Sequence, residues 1–191
     1  MSKDRLEAFS DGVIAILITI MVLELRAPLV ASPVALAPLL PVFGSYVLSF
    51  VFLAIYWNNH HHMLQAIERV DGRVLWSNSH LLFWLSLIPF ATAWMGENRF
   101  AVWPVALYGV VLLCAAVAYY ILARALVALH GSESVIAAAL GRDVKGKASV
   151  VIYLAAIPLA FYRPSLACAL YVLVAVIWLA PDPRIERTLA G

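Results

Sequence analysis

A carboxylate and a row of imidazoles stand in stretches of this chain where polar chemistry is costly. Asp11, with Ser10 beside it and Thr19 two turns on, lies inside the otherwise apolar run "RLEAFSDGVIAILITIMVLEL", residues 5–25. His60, His61 and His62 are consecutive in "WNNHHHML", and His80 sits in "SNSHLLFWLSLIPF". Ionisable groups at membrane depth are expensive and by default mark ion or proton pathways, or the bonds that brace them. Asp11 is the clearest case, about six residues into the run and so roughly 8 to 9 Å along a helix. Glu24 is near the far end beside Arg26, where pairing or snorkelling accounts for it.

Other chemistries find little support. Metal ligands on a helix need histidines at i and i+3 or i+4, so three adjacent ones point apart, and interfacial histidines at the end of a span are the plainer reading. No metal site and no cofactor is expected. His80 needs a polar partner, with Asn78, Ser77 or Asp11 as the candidates. Cys114 and Cys168 lie in apolar runs without CxxC spacing and read as small hydrophobes. There is no GxSxG, HExxH or Walker pattern and no pair of intramembrane carboxylates, so no catalytic residue is assigned and the chain is not expected to be an enzyme. None of the nine glycines falls in a GxG, which leaves no TVGYG-type potassium filter.

The elements that must position these groups follow from composition. The chain has 191 residues, 64% hydrophobic and 13% charged, with a mean hydropathy of +0.93. Those values point to an all-α integral membrane protein, its partners being membrane lipids. A net charge of +2 with no basic tract excludes nucleic acid as a partner. Acidic Asp4, Glu7 and Asp11 break the basic flank that a signal peptide would need, so the first run is read as a retained helix. Six apolar runs approach the roughly 20 residues needed to cross a bilayer. They span about residues 6–25, 36–58, 74–95, 101–124, 147–163 and 165–180, within a single domain over 1–191. Arg163-Pro164 breaks the last two apart. Between the fourth and fifth, residues 125–146 read as a basic, glycine-containing connector.

If the loops alternate sides, the N-terminal side holds Lys3, Arg5, Arg69, Arg73, Arg124, Arg142, Lys145, Lys147, Arg184 and Arg187, against Arg26, Arg99 and Arg163 opposite. That bias predicts both termini in the cytoplasm of a multi-pass protein of the cell (inner) membrane. On a helical wheel of the first run, Ile16, Thr19, Ile20 and Leu23 share a stripe that Phe9, Gly12 and Val13 continue, while Asp11 lies roughly 140° from Ile16. An apolar stripe of this kind packs against lipid or a core more often than it lines a pore, and the wheel alone leaves the choice open.

Arg5, Phe9, Ser10 and Asp11 form R-x-x-x-F-S-D, followed by Ala15-Ile16, Thr19 and Leu23-Glu24-Leu25. This pattern closely resembles the first helix of bacterial members of the transmembrane protein 175 family of endolysosomal potassium channels. "WNNHH" and "LSLIPFATAWMGE" resemble the same family. The resemblance implies six transmembrane helices per subunit, a homotetramer, and a pore lined by the first helix. It also implies a K⁺-permeable, leak-type cation channel for monovalent cations, with a hydrophobic gate and modest selectivity for K⁺ over Na⁺. By the same resemblance Ile16 and Thr19, with Ile20 and Leu23, form the constriction. Arg5, Phe9, Ser10, Asp11, Trp57, His61, Asn78 and His80 would form a structural network between the first three helices. The alternative is a proton-coupled secondary transporter using Asp11 and His80; Pro89 and Pro158 interrupt spans, but no matching halves support it.

Overall fold

In the computed structural model, residues 2–140 and 143–179 are described, and every regular element among them is helical. The first helix, α1, runs Lys3–Leu23. It closes with Leu25 N donating to Val22 O at 3.1 Å, and Pro28, which has no N–H to offer Glu24, keeps the ladder from resuming. Three prolines, Pro33, Pro38 and Pro41, then delay the next α-helix. The chain passes first through a 3₁₀ segment, Pro33–Leu39, and α2 follows at Leu40–Gln65 with Pro41 in its first turn.

α3 (Gly72–Ser86) starts on Asp71, whose carboxylate accepts from Val74 N at 2.9 Å. The ladder breaks at Leu87, ahead of Pro89, and resumes as α4 (Ile88–Glu97). A turn with Arg99 and Phe100 at φ 49° and 59° leads into α5, Val102–His130. Gly131, at φ 94°, ends it in a conformation that costs glycine little. A short α6 (Val135–Leu140) follows, then α7 (Val144–Ala160), capped by Asp143 on Gly146 N, and α8 (Pro164–Leu179).

Four helical stretches are long and apolar enough to cross a membrane: Lys3–Leu23, Pro33–Gln65, Gly72–Glu97 and Val102–His130. α7 and α8 have 17 and 16 residues, and α8 is apolar along its length. Two expectations need correction. The 125–146 stretch is not one connector: 125–130 continue α5, because Leu126 is wholly buried there, and 135–140 are helical again. The second helix also outlasts the 36–58 run: α2 continues to Gln65, with the histidine run in its last two turns. Arg142, Arg184 and Arg187, which entered the charge count, and residue 180 of the last span lie outside the described residues.

α5 is the central post, packing on α3, α4, α7 and α8, while α2 pairs with α4 and α1 lies against α2, α3 and α4. Ala115, Ala118 and Gly109 keep the α5 surface shallow, so that neighbouring helices approach closely. Tyr171 of α8 fits over Gly109 and its hydroxyl donates to Val105 O at 3.1 Å. Deeper in, Ser49 Oγ meets Thr92 Oγ1 at 2.6 Å and the Tyr108 hydroxyl at 2.9 Å, joining α2, α4 and α5. With no water to compete, each polar group at this depth needs such a partner.

Candidate pore helix and its brace

α1 has two faces. Leu6, Ser10, Ile14, Leu17 and Met21, at spacings of three and four, are buried against the other helices. The opposite face has no partner among the described residues: Phe9 and Ile16 are each 57% exposed, Ile20 41% and Leu23 77%. Thr19 is on this exposed face, and its hydroxyl donates to Ile16 O at 2.9 Å. Its proton is thereby spent on the helix, and the remaining lone pairs of the oxygen are free to accept from, or coordinate, whatever lies beyond the helix.

The buried face carries two polar connections. Ser10 Oγ donates to Leu6 O at 2.8 Å and accepts from Asn78 Nδ2 at 3.0 Å. The other end of the Asn78 amide, Oδ1, lies 2.7 Å from His60 Nε2. Since that oxygen can only accept, His60 donates through Nε2, and its Nδ1 has no partner among the described residues. Ser10, Asn78 and His60 are each essentially inaccessible to solvent. They link α1, α3 and α2 through a single chain of hydrogen bonds.

The second connection lies nearer the helix flank. Asp11 Oδ1, off the exposed stripe, accepts from Trp57 Nε1 at 3.0 Å. The Trp57 ring stacks on His61, centroids 5.8 Å apart and planes 15° from parallel. His61 Nδ1 faces Glu7 Oε1 at 2.9 Å, and its Nε2 lies 2.9 Å from Gln65 Nε2. The terminal turns of α1 and α2 are joined once more by Lys3 Nζ donating to Gln65 O at 3.3 Å.

Of the residues expected to cooperate, the structure brings together Ser10 with Asn78, and Asp11 with Trp57 and His61. Others stay apart. Arg5 is exposed, and its side chain makes no hydrogen bond or ion pair with the described residues. Phe9 belongs to the exposed face. His80 is corrected as well: it meets none of Asn78, Ser77 or Asp11, because two residues turn it roughly 200° from Asn78 around α3. It is exposed, and its Nε2 accepts from Trp84 Nε1 at 2.9 Å. His60 and Glu7 were the residues missed. Extending the second helix by two turns places His60 on the stripe of Ser45, Ser49, Phe52 and Leu53, which would have revealed it. Among the described residues, no group of three or more His, Cys, Asp or Glu could hold a metal ion.

Comparison with known proteins bears on the same region. The family described as endosomal/lysosomal potassium channel TMEM175 matches residues 5–89, from the first residue of the R-x-x-x-F-S-D pattern through α3. A protein of Chryseobacterium sp. (strain P1-3), named a potassium channel, is 50% identical over 189 residues, covering 99% of this chain and 98% of its own. A Danio rerio protein named endosomal/lysosomal proton channel TMEM175 is 28% identical over 135 residues, 68% of this chain and 25% of that one. Among solved structures, the crystal structure of a lysosomal potassium-selective channel TMEM175 homolog from Chamaesiphon minutus superposes with a TM-score of 0.78 and 27% identity. It covers 93% of this chain and 96% of that one.

Proposed function

The chain belongs to the TMEM175 family, whose members are ion channels and not enzymes, and on that premise we propose that it is a K⁺-permeable, leak-type cation channel. It works as a homotetramer of six-span subunits in the cell membrane, both termini cytoplasmic, with α1 of each subunit lining the pore. The observation that carries this reading is the unpartnered stripe of Phe9, Ile16, Thr19, Ile20 and Leu23, on a helix whose other face is bound to the rest of the chain. The matching names of the Chryseobacterium and Chamaesiphon relatives support it.

In this reading four Ile16 side chains form the narrowest ring. An isoleucine ring cannot replace the hydration shell of an ion, so it acts as a dewetting barrier and selects only modestly. One turn further, Thr19 offers an oxygen with its proton already committed to Ile16 O, a weak cation ligand that favours the less strongly hydrated K⁺ over Na⁺. The Ser10–Asn78–His60 and Asp11–Trp57 bonds hold α1 at fixed rotation, which keeps the stripe aimed at the axis.

A proton-coupled transporter built on Asp11 and His80 would need the two to exchange a proton. Each instead bonds a different tryptophan. The test is ion flux from proteoliposomes. Downhill K⁺ efflux, exceeding Na⁺ efflux and needing no proton gradient, is expected; flux that appears only with an imposed proton gradient would move the reading to coupled transport.

A further inference from the structure

A cavity of about 370 Å³ opens between α2, α5, α7 and α8, away from α1. We propose that it binds one acyl chain of an anionic phospholipid, whose phosphodiester headgroup rests on Lys147 and Arg124. The size is at the lower end of ligand sites, enough for one chain and too small for a whole lipid. Its walls are nearly all apolar, including Phe52, Ala116, Val150 and Trp178. A space lined this way stays dry and takes an apolar guest.

The open side is bounded by Val117, Tyr120 and Val151, all exposed on the outer surface of the chain, an apolar rim that suits a hydrocarbon guest. One end is polar. The α7 N-terminus lies there, with Lys147 exposed on the rim and Asp143 beside it. Asp143 spends its Oδ1 on Gly146 N at 3.1 Å, capping the helix. Arg124, also exposed, stands one turn beyond Tyr120 on the same face of α5. Among the described residues, Lys147 and Arg124 outnumber the one committed carboxylate, which favours an anionic headgroup over a zwitterionic one. Just inside, the hydroxyls of Tyr56 and Tyr119 make no hydrogen bond to the described residues and can serve the ester oxygens of a lipid.

Trp178 in the wall provides the probe. Bromine on an acyl chain quenches tryptophan at contact, so brominated phosphatidylglycerol is titrated into the full-length protein in detergent, beside Trp178→Phe. The proposal expects a saturable quenching component that Trp178→Phe lacks. Unlabelled phosphatidylglycerol should displace it, and phosphatidylcholine at equal concentration should not. Arg124→Gln with Lys147→Gln should raise the half-saturating concentration about tenfold or more, and Ala116→Phe, filling the cavity, should abolish the component. Both basic positions are exposed, so that double variant decides even if Ala116→Phe does not fold. Equal quenching by brominated phosphatidylcholine, a signal that tracks lipid mole fraction without saturating, displacement by oleate but not phosphatidylglycerol, or an unchanged double variant would overturn the proposal.

Discussion

At the scale of single residues, Asn78 is the pivot, since one amide serves both Ser10 and His60 with no solvent to stand in for it. Asn78→Leu keeps the volume and strands both partners, at about 1–3 kcal/mol for each buried group left unpaired. The expected result is a clear drop in melting temperature in detergent, with His60→Ala adding little once Asn78 is gone because the two share one bond. Asp11 poses a different question: whether its charge or merely its oxygen is needed. Asp11→Asn retains an acceptor for Trp57 Nε1 and should assemble and conduct close to the parent, whereas Asp11→Ala should lose assembly or open-state stability. A normal Asp11→Ala channel with altered selectivity alone would place that carboxylate in the ion path. The sequence made Ser10 and Asp11 visible because polar side chains in an apolar run demand partners, whereas Trp57 entered the network only through the family resemblance and Asn78 through it and as a candidate partner of His80. It hid His60, since three adjacent histidines look alike until the end of the helix is known, and it misassigned His80, whose partner lies four residues along its own helix.

At the scale of elements, the faces of α1 were legible because a 3.6-residue period sorts Leu6, Ser10, Ile14, Leu17 and Met21 from Phe9, Ile16 and Leu23 without any tertiary information. The lengths of α2 and α5 were not. Both helices outrun their most apolar windows, α2 through the histidines and α5 to His130, because buried His60, Leu64 and Leu126 reward further turns that hydropathy does not score. Close approach is likewise invisible in composition. A Cβ at Gly96 of α4 would collide with Ser45 Oγ and come within 2.7 Å of Val42 Cα, which is backbone and cannot swing aside. Gly96→Ala should therefore push α4 from α2 and cost about 1–3 kcal/mol, read as earlier thermal aggregation in detergent. Gly12→Ala, where an added Cβ meets nothing within 4 Å, is the matched control and should not lower stability.

At the scale of the whole molecule, each chain of the proposed tetramer supplies one wall of the pore. Its exposed α1 stripe explains why a subunit of this sequence should not work alone, and native mass spectrometry is expected to give four chains per particle. A monomer that still conducts would remove α1 from the pore axis. Neither symmetry nor subunit number was readable from spacing; both came from the resemblance of the R-x-x-x-F-S-D helix. The charge bias across the loops, by contrast, is physical and local, and predicts that both termini are accessible from the same side of the membrane.

The central claim is that permeating ions pass a ring of Ile16, and its most direct test is planar-bilayer recording of the purified protein under bi-ionic K⁺/Na⁺ conditions with Ile16→Asn alongside. Polar side chains at the ring would wet it. The account predicts unitary currents whose reversal favours K⁺ in the parent, and larger currents with a reversal closer to zero in Ile16→Asn. Unitary currents identical in size and reversal in the two proteins would contradict it.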